Sequence, residues 1–292
     1  MSTLTMLRDA HLQRVIAWAE HEDNILALIL TGSLARNDGT ADALSDIDIE
    51  LIARHPARLA ADERWLGEIG ELITVLRLNA DDGQEWPTRL AIYSPGVKVD
   101  FTLAGAGRVS AMSKARKLDP LYRRGYRVLL DKAGLATNLP VSPFAPPRLA
   151  LPSQQAFSDA VEEFWFEASH VPKYLVRSEL WPARLRDWAM KELLLRMLEW
   201  HALAKGDPAP DVWHNGLRMD TWLDSGVRAQ LHECFGRLDP VEARRAFDAT
   251  IGLYSRVAKE TAGLARLRYP QPVEDGIRSA NALVFGLENR GR

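Results

Sequence analysis

"ILALILTGSLARNDGTADALSDIDIEL", residues 25–51, decides how this chain reads. Six apolar residues, Ile25 to Leu30, run without interruption and end at Thr31-Gly32-Ser33. The run is too short and too uniformly apolar for a surface helix, so it predicts a central strand. A polar loop follows, and Asp46-Ile47-Asp48-Ile49-Glu50 then opens a second strand over 46–53. Side chains in a strand alternate faces, so Asp46 and Asp48 point one way while Ile47 and Ile49 face the core. Two ionised carboxylates a few ångströms apart repel unless a cation lies between them. A hard divalent ion bound by carboxylate oxygens, with positions left open to phosphate, meets that need; Mg2+ is the usual choice. For the Asp-x-Asp pair taken alone, an exposed strand face with two solvated acids is the plainer alternative.

Gly32-Ser33 adds the second half of the argument. A glycine directly after a buried strand lets the backbone approach a ligand closely, and Ser33 then opens a helix whose free N–H groups favour phosphate. The glycine-rich spacing and Gly-Lys-Ser/Thr ending of a P-loop are missing. The combination of strand, Gly-Ser, helix, loop and Asp-x-Asp strand places a triphosphate cradle beside a metal site.

Outward from this stretch, residues 5–20 carry apolar side chains at near-helical spacing, and a further helix is predicted around 62–72. "ITVLRL" (73–78), "RLAIYS" (89–94) and "VKVDFTL" (97–103) are short and rich in β-formers. The first half, residues 1–137, is therefore a mixed sheet with a few helices. In "NLPVSPFAPPRLALP" (138–152) prolines crowd the chain, which predicts an extended linker. Residues 153–292 show long helical periods and little strand signal, which predicts an all-α second domain. The fold class is α+β.

The net charge of −2 excludes the broad basic surface of a general nucleic-acid binder. Cys234 is the only cysteine, so an intrachain disulfide and a thiolate metal cluster are both excluded. No secretory signal is visible and no apolar run approaches the ~20 residues of a spanning helix. A cytoplasmic protein, monomer or homodimer, without a membrane or nucleic-acid partner, is the expectation.

Gly-Ser followed after about a dozen residues by Asp-x-Asp resembles the nucleotidyltransferase superfamily of the DNA polymerase β type. That superfamily carries a third carboxylate on a later strand, where Asp100 of "VKVDFTL" stands, with Val99 and Phe101 turned to the core. The second half is similar to the helical domain of the aminoglycoside 6-adenylyltransferases, the streptomycin-modifying enzymes. The matching positions are Pro152-Ser153, Glu163-Phe164-Trp165, Val171, Lys173, Leu175, Arg177, Glu179 and Leu194-Leu195-Arg196-Met197 with Trp200. The likeness runs from about residue 5 to about 270. The family often has Glu-Gly-Ser-Arg where this chain has Thr31-Gly32-Ser33-Leu34, with Arg36 as the nearest basic residue.

The resemblance implies Mg2+-dependent transfer of AMP from ATP to an aminoglycoside hydroxyl, the 6-hydroxyl of streptomycin in particular. It assigns Asp46, Asp48 and Asp100 to metal binding and catalysis, and Gly32, Ser33, Arg36, Lys173 and Arg177 to the nucleotide. Glu163, Trp165, Glu179 and Asp187 are candidates for the cationic drug. Another small molecule or a protein as acceptor stays open. So does an antitoxin-like nucleotidyltransferase that binds a partner, for which Arg196 to His201 has the spacing of an RNA-cleaving Arg-x4-His motif.

Overall fold

The computed structural model describes residues 2–36, 38–79, 82, 85–146, 149–206 and 210–287. The chain divides into two compact units, Met1–Pro147 and Arg148–Arg292. The division falls inside the proline-rich stretch, whose described residues form no helix or strand.

The first unit opens with α1 (Thr3–His21), whose N-terminus is capped by Ser2 accepting from the Thr5 amide. Then come β1 (Ile25–Leu30), the single turn α2 (Gly32–Ala35), β2 (Ile47–Ala53), α3 (Pro56–Ala61), α4 (Arg64–Ile69) and β3 (Leu72–Leu78). β4 (Thr88–Tyr93), β5 (Val97–Gly105), α5 (Gly107–Ala115), α6 (Pro120–Arg124) and β6 (Arg127–Asp131) complete it. The six strands form one mixed sheet in the order β3-β4-β5-β2-β1-β6. β2 and β5 are parallel and every other pair is antiparallel.

All six side chains of β1 are buried because both faces of the sheet are covered. On one face Leu28, Leu30, Ile47, Ile49, Val99 and Phe101 pack with Val15 and Ala19 of α1 and Trp65 of α4. On the other, Ala27, Ile29, Ile52 and Ala104 meet Val109 and Met112 of α5 and Tyr122 of α6.

Two expectations need correction. The helix predicted around 62–72 is α4, shorter than expected, and α3 precedes it as a separate short helix. The Asp62 carboxylate accepts the Arg64 amide at 3.2 Å, so it starts α4 rather than continuing α3. The helix expected after Gly32 is one turn only, ending where Arg36 turns to extended backbone.

Among its described residues the second unit is helical: α7 (Gln154–Ala168), α8 (Val171–Val176), α9 (Leu180–Lys205), α10 (Met219–Trp222), α11 (Ser225–Glu233), α12 (Pro240–Ala265) and α13 (Gln271–Gly286). Ser153 caps α7, and Asp239 followed by Pro240 opens α12. The core is centred on Phe164 and Tyr254, whose rings stack at 3.5 Å between centroids. Trp165, also fully buried, donates its indole N–H to the Tyr269 hydroxyl at 3.0 Å.

Candidate active site

The alternating acids of "DIDIE" meet three different fates. Asp48 on β2 is the register partner of Asp100 on β5, so the two carboxylates leave the same face of adjacent strands. Asp46 lies one residue before β2, on the incoming loop rather than inside the strand as expected. It still reaches the cluster, because its carboxylate is joined to that of Asp100 through Lys98. The Lys98 Nζ donates to Asp46 Oδ2 at 2.6 Å and to Asp100 Oδ2 at 2.9 Å.

Glu50, the next residue on the Asp48 face, is buried and belongs to a structural network. It accepts from Arg108 at 3.0 and 3.3 Å and from the Tyr122 hydroxyl at 2.7 Å, and Arg108 is paired with Asp119 as well. With its charge balanced and its oxygens occupied, Glu50 anchors α5 and α6 to the sheet.

The Gly32-Ser33 turn is locked onto Asp48. The Thr31 amide donates to the Asp48 carbonyl at 2.9 Å, carrying the end of β1 against β2. Gly32 then adopts φ +64°, and a Cβ there would stand 1.9 Å from Asp48 Oδ2. Glycine is therefore required twice, for the left-handed backbone and for the contact. The Ser33 side chain is half-buried, with no hydrogen bond to the described residues. Arg36 pairs with Asp38 at 3.4 Å, and its charge favours the ionised form of Asp48.

Burial, followed by repulsion from Asp100 and Asp46, pushes the Asp48 carboxyl up from 3.8 to about 6, against the pull of Lys98 and Arg36. Asp100 is raised too, mainly by burial and against its hydrogen bond from Lys98. Burial opposes the Lys98 ammonium, but its bonds to Asp46 and Asp100 outweigh that and hold its pKa above the ordinary value. Asp100 Oδ1 is buried without a hydrogen-bond partner among the described residues. Mutually repelling acids and an unsatisfied carboxylate oxygen are the donor chemistry a hard divalent cation takes. Among the described residues no three such groups are already drawn together at metal-holding distance. The side chains fit an ion in kind, and they would have to close around it.

Lys173 on α8 and Arg177 at its C-cap are both exposed. Glu163 and Glu179 are exposed as well, Glu179 at the N-cap of α9. Trp165 is not available to a ligand: its full burial and its bond to Tyr269 make it core, which corrects its assignment to the drug. Asp187 is buried and already engaged, by Lys191 at 2.6 Å and Arg184 at 3.4 Å, so it too is a structural residue. His201 is buried and bonded to Glu260 at 3.0 Å, whereas Arg196 is exposed, so the Arg-x4-His spacing does not form a paired site. A cavity of about 760 Å3 is lined by Trp188, Glu192, Glu199, Trp213 and Phe235 among others.

Sequence reasoning missed Lys98 and Glu50. Lys98 could have been found from its i, i+2 spacing to Asp100, which puts both on one strand face. No local signal pairs Glu50 with Arg108.

The model of the family described as streptomycin adenylyltransferase matches residues 7–280. The chain is 24% identical over 269 residues to an aminoglycoside 6-adenylyltransferase of Campylobacter jejuni, covering 89% of each chain. It is 22% identical over 270 residues to one from Bacillus subtilis, covering 89% of this chain and 91% of that one. A crystal structure of an aminoglycoside 6-adenyltransferase from Bacillus subtilis aligns over 94% of this chain and 97% of its own, with 18% identity and a TM-score of 0.46. With a family match over nearly its whole length, the chain belongs to the streptomycin adenylyltransferase family and is a nucleotidyltransferase.

Proposed function

We propose that this protein transfers AMP from ATP to the 6-hydroxyl of streptomycin with release of pyrophosphate, and that the reaction depends on Mg2+. The observation that carries the chemistry is the cluster of Asp46, Asp48 and Asp100 beside the Gly32-Ser33 turn. Backbone N–H groups of that turn and the Ser33 hydroxyl bind the β- and γ-phosphates. Asp46, Asp48 and Asp100 are the residues that would hold the metal. The bound ion supplies charge neutralisation at the triphosphate and at the attacking oxygen.

Asp100 takes the proton of the acceptor hydroxyl. The hydroxyl oxygen forms a bond to the α-phosphorus as the bond from that phosphorus to the bridging oxygen breaks, and the electron pair leaves with pyrophosphate. Lys173 and Arg177 add positive charge for the nucleotide phosphates.

A cationic acceptor agrees with the family and with the helical unit. Streptidine's two guanidinium groups suit pairing with carboxylates. Glu163 and Glu179 are exposed, and Glu192 and Glu199 line the cavity beside Trp188 and Trp213. The test is to incubate the protein, ATP and Mg2+ separately with streptomycin, spectinomycin, kanamycin and lincomycin and to measure product masses. An AMP adduct on streptomycin, located at the 6-hydroxyl by fragmentation or NMR, is the expected result. Adducts on kanamycin or lincomycin alone would overturn the acceptor and keep the reaction. No adduct on any drug, with ATP still bound, would move the acceptor to a protein or RNA.

A further inference from the structure

Among the described residues Lys98 and Arg108 both bond to acids of the parallel strand pair, and they do so in different ways. Arg108 is 12% exposed, contacts Glu50 through two nitrogens, and pairs with Asp119 and the Tyr122 ring as well. A rigid fork with this many partners makes a permanent counter-ion. Lys98 has a single ammonium, a flexible stem, a side chain 34% exposed and two carboxylate partners. It is the kind of cation that can leave.

Its position gives that freedom a consequence. The ammonium bridges Oδ2 of Asp46 and Oδ2 of Asp100, two of the three acids to which the proposed function assigns the metal. A divalent ion drawing on those oxygens and the Lys98 ammonium cannot share them, because two cations at such range repel strongly. We propose that Lys98 is an exchangeable internal counter-ion: it holds Asp46 against Asp100 in the resting protein and is displaced when the metal arrives with the nucleotide. This rests on the reading of the cluster as a metal site. Metal binding by the nucleotide-free protein is therefore weak, since the ion must break two charge-assisted hydrogen bonds before it gains its ligands. Lys98 is a positioning residue in this scheme, acting through Asp46 and Asp100.

The experiment is a Mn2+ titration of the full chain without nucleotide, followed by the electron paramagnetic resonance of free Mn2+. Wild type, Lys98→Met and Lys98→Arg are compared, with Asp48→Asn as the control. Lys98→Met is expected to bind Mn2+ at least tenfold more tightly than wild type, and Lys98→Arg no more tightly than wild type. Equal or weaker binding by Lys98→Met overturns the inference. If Mn2+ then still binds in the presence of a non-hydrolysable ATP analogue, and Asp48→Asn abolishes it, the metal reading survives that failure. No Mn2+ binding with the analogue in any form of the protein removes both.

Because Lys98→Met can fail to fold, a second measurement uses wild type labelled with 15N-lysine, the Lys98 ammonium signal being assigned with Lys98→Arg. Adding Mg2+ with the analogue is expected to remove its hydrogen-bonded signal. A signal unchanged at saturating Mg2+ and analogue overturns the displacement.

Discussion

Replacing Asp48 by asparagine is expected to stabilise the metal-free protein while abolishing transfer. Asp48 titrates at about 6 in the folded protein against an ordinary 3.8, because burial and the neighbouring Asp100 and Asp46 charges disfavour its ionised form. The folded state thus holds this proton more tightly than the unfolded chain. Below pH ~4 both states are protonated and the charge costs nothing. As pH rises from ~4 to ~6 the unfolded chain releases the proton first and stability falls; above that window the loss is constant. Two pH units at about 1.4 kcal/mol each give a cost of roughly 3 kcal/mol at neutral pH. Asparagine removes the charge and keeps the shape, and the Asp48 side chain makes no hydrogen bond to the described residues that the change would break. The stability gap between Asp48→Asn and wild type should be near zero at pH 4 and roughly 3 kcal/mol in favour of the variant at pH 7. Urea denaturation in EDTA, read by pulsed hydrogen exchange in peptides covering residues 47–53 and 97–105, reports on the sheet rather than on the helical unit. Saturating Mg2+ should narrow the gap by stabilising wild type. A gap that does not change with pH, or a wild type more stable than the variant at pH 7, would refute the account of the Asp48 charge.

Gly32→Ala should lower both stability and activity, since its Cβ would overlap the Asp48 carboxylate; a loss under about 1 kcal/mol in urea denaturation would show that the turn relaxes. Arg108→Ala strands a buried Glu50 and should cost about 3–5 kcal/mol, measured in the same way at pH 7. Ser33→Ala removes one hydroxyl and leaves the backbone donors, so a modest rise in KM for ATP is expected, and unchanged kinetics would make Ser33 a plain turn residue. Lys173→Ala should likewise raise KM for ATP, with melting temperature unchanged because the side chain is exposed.

The sheet was legible where a residue's surroundings are local. Six apolar residues in a row can be satisfied only by cover on both faces, and β1 has that cover from α1 and α4 on one side and α5 and α6 on the other. Alternation put Val99 and Phe101 in the core and turned Asp100 to the face of Asp48. What depended on partners far along the chain was not legible. Trp165 shows this: composition cannot say whether a tryptophan is platform or core. The neighbouring Phe157, Val161 and Phe164 mark a stripe of α7 turned inward, and Tyr269 completes its burial from over a hundred residues away.

The acids of "DIDIE" carry the same lesson into the site. The alternation predicts one face for three carboxylates, and on that count alone all three have equal claim to a metal. What separates them is the cation each one meets. Arg108 arrives from α5, fifty-eight residues beyond Glu50, and fixes that acid permanently into the packing. Lys98 arrives on the neighbouring strand with a single charge and a mobile stem, and leaves the oxygens of Asp46 and Asp100 open to exchange. Asp48 makes no side-chain hydrogen bond to the described residues, and burial with repulsion from Asp100 and Asp46 disfavours its charge. A carboxylate with a raised pKa, one with an exchangeable counter-ion and one with an unpartnered oxygen gain most from a divalent cation, whereas Glu50 would gain least. The chemistry of the site therefore follows from the distribution of cations around the acids more than from the acids themselves.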